Sequence, residues 1–427
     1  MHFFCQVAYA QPIPDTLLEV IPAPVTEQNG IPEVVNDPMI HTVMLERNDL
    51  SLAYPILSLG SEDKLTLSFD VLGGIVHNYS YTFLHCDQNW EASNLTNFDY
   101  LDGFENNPVS DYRFSFATEQ KYVHYSVSFP NESVNFTLSG NYVVVVYDDN
   151  YPDSVIIARR FFVWEDVVSV SASVSRPNRI EYRTEYQEVN FTVDVRNAGI
   201  TNAYDAVRVS VFQNGITERA PENLKPRLIS GDILYYDMDD QVFPGMKEFR
   251  RFDSRNLKLQ TDRIRKITHD MDGYVAYLNV EESRVFERYR YEKDINGQYV
   301  IMADLSNDVG TEADYVWVDF TMKYPYFVTS GDFYVFGGLS DMQCLERCKM
   351  TYDFDRQEYH ARIYLKQGYY NYLYAFKNYA DGKVDFAYAE GNDFQTENDY
   401  LILIYQRSFD RDYDKLIGLS VINSLKK

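Results

Sequence analysis

The residue pair with the clearest chemical potential is His85 and Cys86, which follow each other directly in the chain. A thiol becomes a nucleophile when an imidazole beside it accepts its proton, so a histidine and a cysteine in contact could perform covalent catalysis. The two residues, however, continue the alternating segment Tyr79–Leu84, which predicts a β-strand. Adjacent strand residues point to opposite faces. The sequence therefore favours a core cysteine beside a packed histidine over a catalytic pair.

Carboxylates occupy every second position of the segment Asp410–Asp414, the spacing of the first three ligands of a calcium-binding loop. That loop also needs a glycine at its sixth position and a glutamate at its twelfth, where this chain has Lys415 and Val421. We therefore predict a solvated turn. The same interpretation applies to three further loop carboxylates, Asp237, Asp239 and Asp240.

The four cysteines are too few for a disulfide framework, so a hydrophobic core must stabilise the fold. Cys344 and Cys348 could close a small disulfide loop in an oxidising compartment, or they could be reduced and partly buried; both alternatives stay open. No cysteine or histidine pair lies near enough in sequence to complete a zinc site with them.

Motifs of hydrolases, nucleotide-binding proteins and zinc proteases are absent from the sequence. We therefore predict a protein that is not an enzyme, with no catalytic residues, no metal site and no cofactor. The residues that bind a partner cannot be assigned from the sequence.

The chain has 427 residues and a formal net charge of −25. Phosphate backbones and anionic membranes repel such a charge, which argues against nucleic-acid binding. No apolar run approaches the ~20 residues of a membrane-spanning helix, so we predict no direct membrane insertion.

The N-terminal residues have some features of an export signal. A short apolar run precedes Ala8-Tyr9-Ala10, which fits the small-residue rule for signal peptidase, although a charged start is missing. We interpret residues 1–10 as a truncated signal peptide of an exported protein. Residues 11–37 are rich in Pro, Glu, Asn and Val without a period, and we predict an extended arm or linker.

The strongest strand signal is the segment Leu138–Tyr147, in which a Ser-Gly-Asn turn leads into a tyrosine and four valines. Both faces of this strand are apolar, which predicts a central strand covered on both sides. The Gly-x-Tyr pattern that ends at Tyr142, at the start of this strand, resembles the tyrosine corner of immunoglobulin-type sandwiches. A similar sequence segment occurs at Gln367–Phe376.

Short alternating segments of this kind fill most of the chain and predict an all-β fold. We expect three consecutive immunoglobulin-like β-sandwich domains, at residues 38–165, 166–324 and 325–427. Within residues 253–273, Leu257 and Leu259 fit a strand better than a short helix. The third domain is expected to include the strand Tyr400–Tyr405.

The third domain is similar to glycogen- and starch-binding sandwich modules, which stack exposed aromatic side chains on sugar rings. Three phrases carry the similarity: Gly331–Gly338, Met350–Asp353 and Gln367–Phe376. The tryptophan expected after the first phrase is absent, since Leu339–Asp341 stands there. Two interpretations of these aromatic residues stay open: they bind a sugar, or they only fill the core of the domain.

Phrases along nearly the whole chain, roughly residues 40–420, together resemble the plug protein family of the type IX secretion system. They are Phe69–Asp70, His85–Trp90, Tyr100–Phe104, Thr118, Tyr122–Tyr125, Ser139–Tyr142, Arg160–Val163, Phe249–Asp253, Thr396–Tyr400 and Asp414–Gly418.

The resemblance implies a soluble periplasmic protein of three immunoglobulin-like sandwiches. Its role would be to close the periplasmic side of the large outer-membrane β-barrel translocon when no substrate is engaged. Loops on a rigid frame suit such a seal, and the candidates are the polar connection at residues 94–107 and the arm at 11–37. The alternative is a periplasmic or surface glycan-binding protein that uses its C-terminal sandwich.

Overall fold

The computed structural model describes residues 30–48, 50, 52–216, 224–237, 241–271, 273–408 and 411–425. Half of the residues are in strands, and the described helices are single turns, so the all-β prediction is confirmed. The α-helical turns are α1 (Asn97–Tyr100), α2 (Ala203–Ala206), α3 (Val309–Glu312) and α4 (Ala387–Glu390). The 3-10 turns are Ile180–Tyr182, Gly338–Ser340 and Glu346–Cys348.

The N-terminal strands are β1 (Val34–Val35), β2 (Ile40–Arg47), β3 (Ile56–Ser58), β4 (Leu65–Leu72), β5 (Tyr79–Cys86), β6 (Leu101–Gly103), β7 (Asn107–Pro108), β8 (Asp111–Phe114), β9 (Tyr122–Phe129), β10 (Val134–Phe136), β11 (Gly140–Asp148) and β12 (Tyr151–Trp164). The next strands are β13 (Ser169–Ser175), β14 (Tyr186–Asp194), β15 (Val207–Gln213), β16 (Leu228–Ser230), β17 (Ile233–Tyr236) and β18 (Val242–Pro244).

The C-terminal strands are β19 (Arg250–Asp253), β20 (Ile264–Asp270), β21 (Gly273–Leu278), β22 (Glu281–Glu282), β23 (Tyr299–Ile301), β24 (Tyr315–Lys323), β25 (Gly331–Phe336), β26 (Thr351–Asp353), β27 (Glu358–Lys366), β28 (Gly368–Asn378), β29 (Val384–Asp385), β30 (Asp399–Ser408) and β31 (Tyr413–Asn423).

The first two sheets form a sandwich. Sheet I has the order β2-β4-β9-β8, and sheet II has the order β1-β12-β11-β5-β7 with β3 parallel to β12. Alternation in β4 places Leu65, Leu67 and Phe69 in the core between them, as predicted. The described end of the predicted arm, residues 30–37, contributes β1 to the edge of sheet II.

Strand β11 is central and buried on both faces, which confirms the prediction from its sequence. Tyr142 and Val144 face sheet I, whereas Val143 and Val145 belong to a second apolar cluster on the other side. The hydroxyl of Tyr142 donates a hydrogen bond to the carbonyl of Leu138 at 2.8 Å. This bond to the residue four positions earlier is that of a tyrosine corner.

Sheet III, of order β15-β30-β31, covers that second cluster. Its other face packs on sheet IV, of order β13-β14-β17-β16 with β18 on β14. Leu401 and Leu403 of β30 point toward sheet II, whereas Ile402 and Ile404 point toward sheet IV. Sheets I to IV therefore pack face to face as four layers, and the two inner sheets have no apolar face exposed to water.

The third sandwich lies between β19 and β29. Sheet V has the order β20-β21-β24-β27-β26 with β22 on β24, and sheet VI joins β19, β23, β25 and β29 to β28. Their facing sides enclose one apolar cluster. Tyr370 on β28 donates to the carbonyl of Lys366 at 2.6 Å, so the second sequence phrase also forms a tyrosine corner.

Two expectations for individual strands are wrong. Tyr400–Tyr405 does not join the third sandwich, because β30 pairs with β15 along the whole of that strand. Leu257 and Leu259 lie in a bend outside any strand, and the strand of this region is β20. The first difference arises because a buried β-branched strand fits any covered sheet, so its composition does not identify its partner.

Candidate functional site

His85 and Cys86 lie back to back on β5. His85 packs against the ring of Tyr142 on the sheet I side, whereas Cys86 belongs to the cluster between sheets II and III. The His85 Nδ1 atom is 3.0 Å from Ser93 Oγ, and burial lowers the pKa of the imidazole to about 4. Burial also raises the pKa of the Cys86 thiol. A neutral imidazole and a protonated thiol on opposite faces cannot act as a catalytic pair.

The predicted calcium-like turn is only partly in the described residues, because Asp410 lies outside them. Asp414 contradicts the prediction of a solvated turn, since it is fully buried at the start of β31. Its carboxylate accepts from the backbone N–H of Gln88 at 3.1 Å and pairs with Arg208 and Arg407. Asp414 therefore connects sheets II and III instead of facing solvent.

The remaining candidates for chemistry are separate from one another. Asp237 pairs with Arg227 at the surface, while Asp239 and Asp240 lie outside the described residues. Cys344 and Cys348 are both in the thiol form. Within the described ranges, no three His, Cys, Asp or Glu side chains are grouped closely enough to hold a metal ion.

The aromatic residues that suggested a sugar site belong mainly to the core of the third sandwich. Phe333, Tyr370, Tyr372 and Tyr374 are almost completely buried between sheets V and VI. Other aromatic rings are exposed at one end of this sandwich, at Phe327 and Phe354, with Tyr352 half-buried between them. Their planes are inclined by 45° to 88°, so they do not form the flat platform that a sugar ring requires.

A buried polar network joins the first sandwich to the third. Asp70 on β4 and Lys366 at the end of β27 are each only 1 % exposed, and Lys366 Nζ lies 2.5 Å from Asp70 Oδ2. The Tyr315 hydroxyl donates to the same carboxylate oxygen at 2.7 Å, and His124 Nδ1 lies 2.6 Å from Asp70 Oδ1. Burial lowers the pKa of Lys366, and the Asp70 charge opposes that shift.

Further hydrogen bonds surround this network. Tyr122 donates its hydroxyl hydrogen to the carbonyl of Ala313 at 2.8 Å, and the ammonium group of Lys366 lies 4.3 Å from the centre of the Tyr122 ring. Asp314 accepts from the backbone N–H groups of Glu119 and Gln120. The contact between the two sandwiches is therefore fixed by charge-assisted hydrogen bonds.

The loop at residues 94–107 is a rigid element of the first sandwich. Its helical turn α1 begins with a capping box, in which the Asp99 carboxylate accepts from the backbone N–H of Thr96 at 2.9 Å. Tyr100 is buried and donates to the carbonyl of Phe83 at 3.0 Å. Strand β6 then pairs with β10.

Two phenylalanines project from this rigid loop. Phe98 is 92 % exposed and Phe104 is 69 % exposed. Ordered backbone beneath exposed aromatic rings is a good basis for binding a partner, because little conformational entropy is lost on contact. The sequence identified the loop as a candidate from its length, but the two phenylalanines were not singled out.

The comparisons with known proteins agree with these observations. The family model described as "Type 9 secretion system plug protein 1st domain" matches residues 40–165, the sandwich of sheets I and II. A search of the curated proteins finds no match. The described residues contain no helix with the length and apolar character needed to cross a membrane.

Among solved structures, the chain is similar to a hypothetical protein from Parabacteroides merdae ATCC 43184. The TM-score is 0.88 at 31% sequence identity, and the alignment covers 92% of this chain and 98% of that one. An alkylpurine DNA glycosylase from Pseudomonas fluorescens has a TM-score of 0.16 at 12% sequence identity, over 29% of each chain. This chain therefore contains the first domain of the plug-type proteins of the type 9 secretion system.

Proposed function

We propose that this protein is a non-enzymatic plug that closes the periplasmic side of the outer-membrane β-barrel translocon of type 9 secretion when no substrate is engaged. The match of residues 40–165 to the first domain of plug proteins is the observation that carries this proposal. The location would be the periplasm, and the partner would be the barrel.

The architecture supports the proposal because a plug must keep its shape under load. Three clusters of buried apolar side chains connect sheets I to IV. Close-packed layers of this kind resist deformation. Loop 94–107, which presents Phe98 and Phe104, is the surface that we assign to contact with the barrel.

The test is an affinity pull-down of the tagged protein from mildly solubilised host outer membranes, followed by mass spectrometry. The expected result is one very large β-barrel protein in near-equal amount. The variant Phe98→Ala/Phe104→Ala should recover roughly tenfold less of it, since exposed aromatic anchors commonly dominate binding energy. The control, Phe354→Ala/Tyr379→Ala, removes two exposed rings of the third sandwich and should change nothing.

The outcomes separate the two parts of the proposal. Equal recovery by the Phe98→Ala/Phe104→Ala variant would overturn the role of the loop and leave the plug function standing. Recovery of no barrel, together with retention on a glycan column that the control variant abolishes, would replace the plug by the glycan-binding alternative.

A further inference from the structure

The acidic chain contains one region of opposite charge. Residues 250–266 and 284–293 carry eleven Lys and Arg side chains against four Asp and Glu, a net charge of +7 within a chain of −25. We call these two ranges the basic patch. They lie together, because the Glu292 carboxylate accepts from Arg251 and from Arg263, at 3.1 Å in each case.

Part of this charge is used within the fold. Glu390 is fully buried, and its carboxylate accepts from Arg250 Nε at 2.9 Å and from Arg284 Nε at 2.6 Å. Burial alone would raise the pKa of Glu390, but the two guanidinium groups outweigh it and lower the pKa to about 2. These arginines fasten residues 284–293 to the third sandwich and give the basic patch a fixed shape.

The rest of the charge faces solvent. Six cations of the basic patch are exposed and have no ion pair with a carboxylate in the described part of the chain; they are Lys258, Arg265, Lys266, Arg288, Arg290 and Lys293. Arg288 and Arg290 line a cleft of about 290 Å³. Phe286 beside them is 99 % exposed and Tyr291 is 49 % exposed.

We propose that the basic patch is a docking site for an acidic segment of a partner protein. Guanidinium groups bind carboxylates through paired hydrogen bonds, and Arg288 and Arg290 have such groups free at the cleft. Phe286 and Tyr291 supply the aromatic contacts that accompany arginine in protein interfaces. The inference does not depend on the proposed plug function.

The charges of the whole chain favour a narrow ligand over a broad anionic surface. Outside the basic patch the chain carries −32, the difference between −25 and +7. A membrane or a nucleic acid is broader than the basic patch, so its phosphates would also face acidic residues, which repel them. The exposed carboxylates of Glu282 and Glu287 in the same cleft add to this repulsion. A single acidic segment can contact the basic patch alone.

The experiment measures binding of a fluorescently labelled ten-residue glutamate peptide to the full chain by anisotropy. We expect saturable binding at about 0.02 M salt that weakens toward about 0.15 M salt. The variant Arg288→Gln/Arg290→Gln should lower the affinity by about tenfold, since it removes two charge-assisted donors. The control Lys377→Gln/Lys383→Gln makes the same change of charge at exposed positions outside the basic patch and should keep the affinity.

Several results would overturn the inference. The absence of peptide binding at low salt would exclude the site. Equal binding of the peptide to both double variants would exclude it as well. Binding of vesicles that contain anionic phospholipid, lost in Arg288→Gln/Arg290→Gln while the peptide does not bind, would assign the basic patch to a membrane. Salt-sensitive self-association lost in the same variant, again without peptide binding, would assign it to a second copy of this chain.

Discussion

The first sandwich meets the rest of the molecule at two junctions of opposite character. Its sheet II packs on sheet III through apolar side chains such as Val143, Val145 and Leu403, all completely buried. Its sheet I meets the third sandwich through the Asp70, Lys366 and Tyr315 network. We call these contacts the apolar junction and the polar junction.

The two junctions should respond to different kinds of substitution. Apolar packing loses free energy in proportion to the volume removed and responds little to pH. A buried ionic network is stable only while every charge has its partner, so removal of one group affects it disproportionately. The four layers thus form one body, and the polar junction joins sheet I of that body to the third sandwich by contacts that depend on charge.

The largest effect is expected at the polar junction. Lys366→Met leaves the carboxylate of Asp70 buried without its cation, so the free energy of unfolding should fall by about 4 kcal/mol. Asp70→Asn/Lys366→Met removes both charges and should lose much less. Urea unfolding of the two variants measures the difference. Equal losses of unfolding free energy in the two variants would show that Asp70 and Lys366 are not coupled. The control is Lys377→Met, which makes the same substitution at an exposed position.

The apolar junction should respond to volume instead. Leu403→Ala creates a cavity between sheets II and III, and we expect a loss of about 3 kcal/mol. Because sheet II belongs to the same body, amide exchange should accelerate in β11 as well as in β30. Val421→Ala on the neighbouring β31, where the side chain is half-exposed, is the control. Unchanged exchange in β11 would contradict the continuous stack.

A second polar contact, where the chain enters the third sandwich, should make stability depend on pH. Burial raises the pKa of Glu248 to about 7, and Tyr289 donates its hydroxyl hydrogen to that carboxylate. Because the folded state holds the proton more tightly than the unfolded state, stability should fall as pH rises from 5.5 to 7.5, by about 2 kcal/mol from this group.

Glu248→Gln keeps a hydrogen-bond acceptor and removes the titration. Urea unfolding over that pH range should therefore show a flatter profile for the variant than for the wild-type protein. Parallel profiles would contradict the assignment. Leu403→Ala should shift the wild-type profile downward without changing its slope, since the apolar junction carries no titrating group at that position.

The smallest effects are expected at the two tyrosine corners, which the four-layer body and the third sandwich share. Tyr142→Phe and Tyr370→Phe each remove one hydrogen bond to a backbone carbonyl, for a loss of about 1 kcal/mol. Tyr236→Phe is the control, because its buried hydroxyl has no hydrogen-bond partner among the described residues. A loss at only one corner in thermal unfolding would show that the motifs are not equivalent.

The sequence predicted the strands well where local pattern decides the outcome. Alternation placed Leu65, Leu67 and Phe69 inward, and the two-sided apolar pattern of Leu138–Tyr147 identified a central strand. Glycine two residues before tyrosine predicted the corner at Tyr142 and pointed to the phrase that contains Tyr370. These features depend on neighbours in the chain, and so the sequence contains them.

Contacts between residues that are distant in sequence could not be predicted from local patterns. Sheet III combines β15 with β30 and β31, so it joins residues on both sides of the boundary predicted at 324/325. The division into three contiguous domains stays a prediction, and this pairing favours a second unit interrupted by the third. Likewise, Asp70 and Lys366 are 296 residues apart in the chain, and neither has a local pattern that reveals the other.

The most direct test of the plug function measures ion flow through the purified barrel translocon in a planar bilayer. Addition of this protein to the periplasmic side should lower the conductance, and Phe98→Ala/Phe104→Ala should do so only at roughly tenfold higher concentration. Conductance that stays unchanged while the protein is bound to the barrel would contradict the proposed closure.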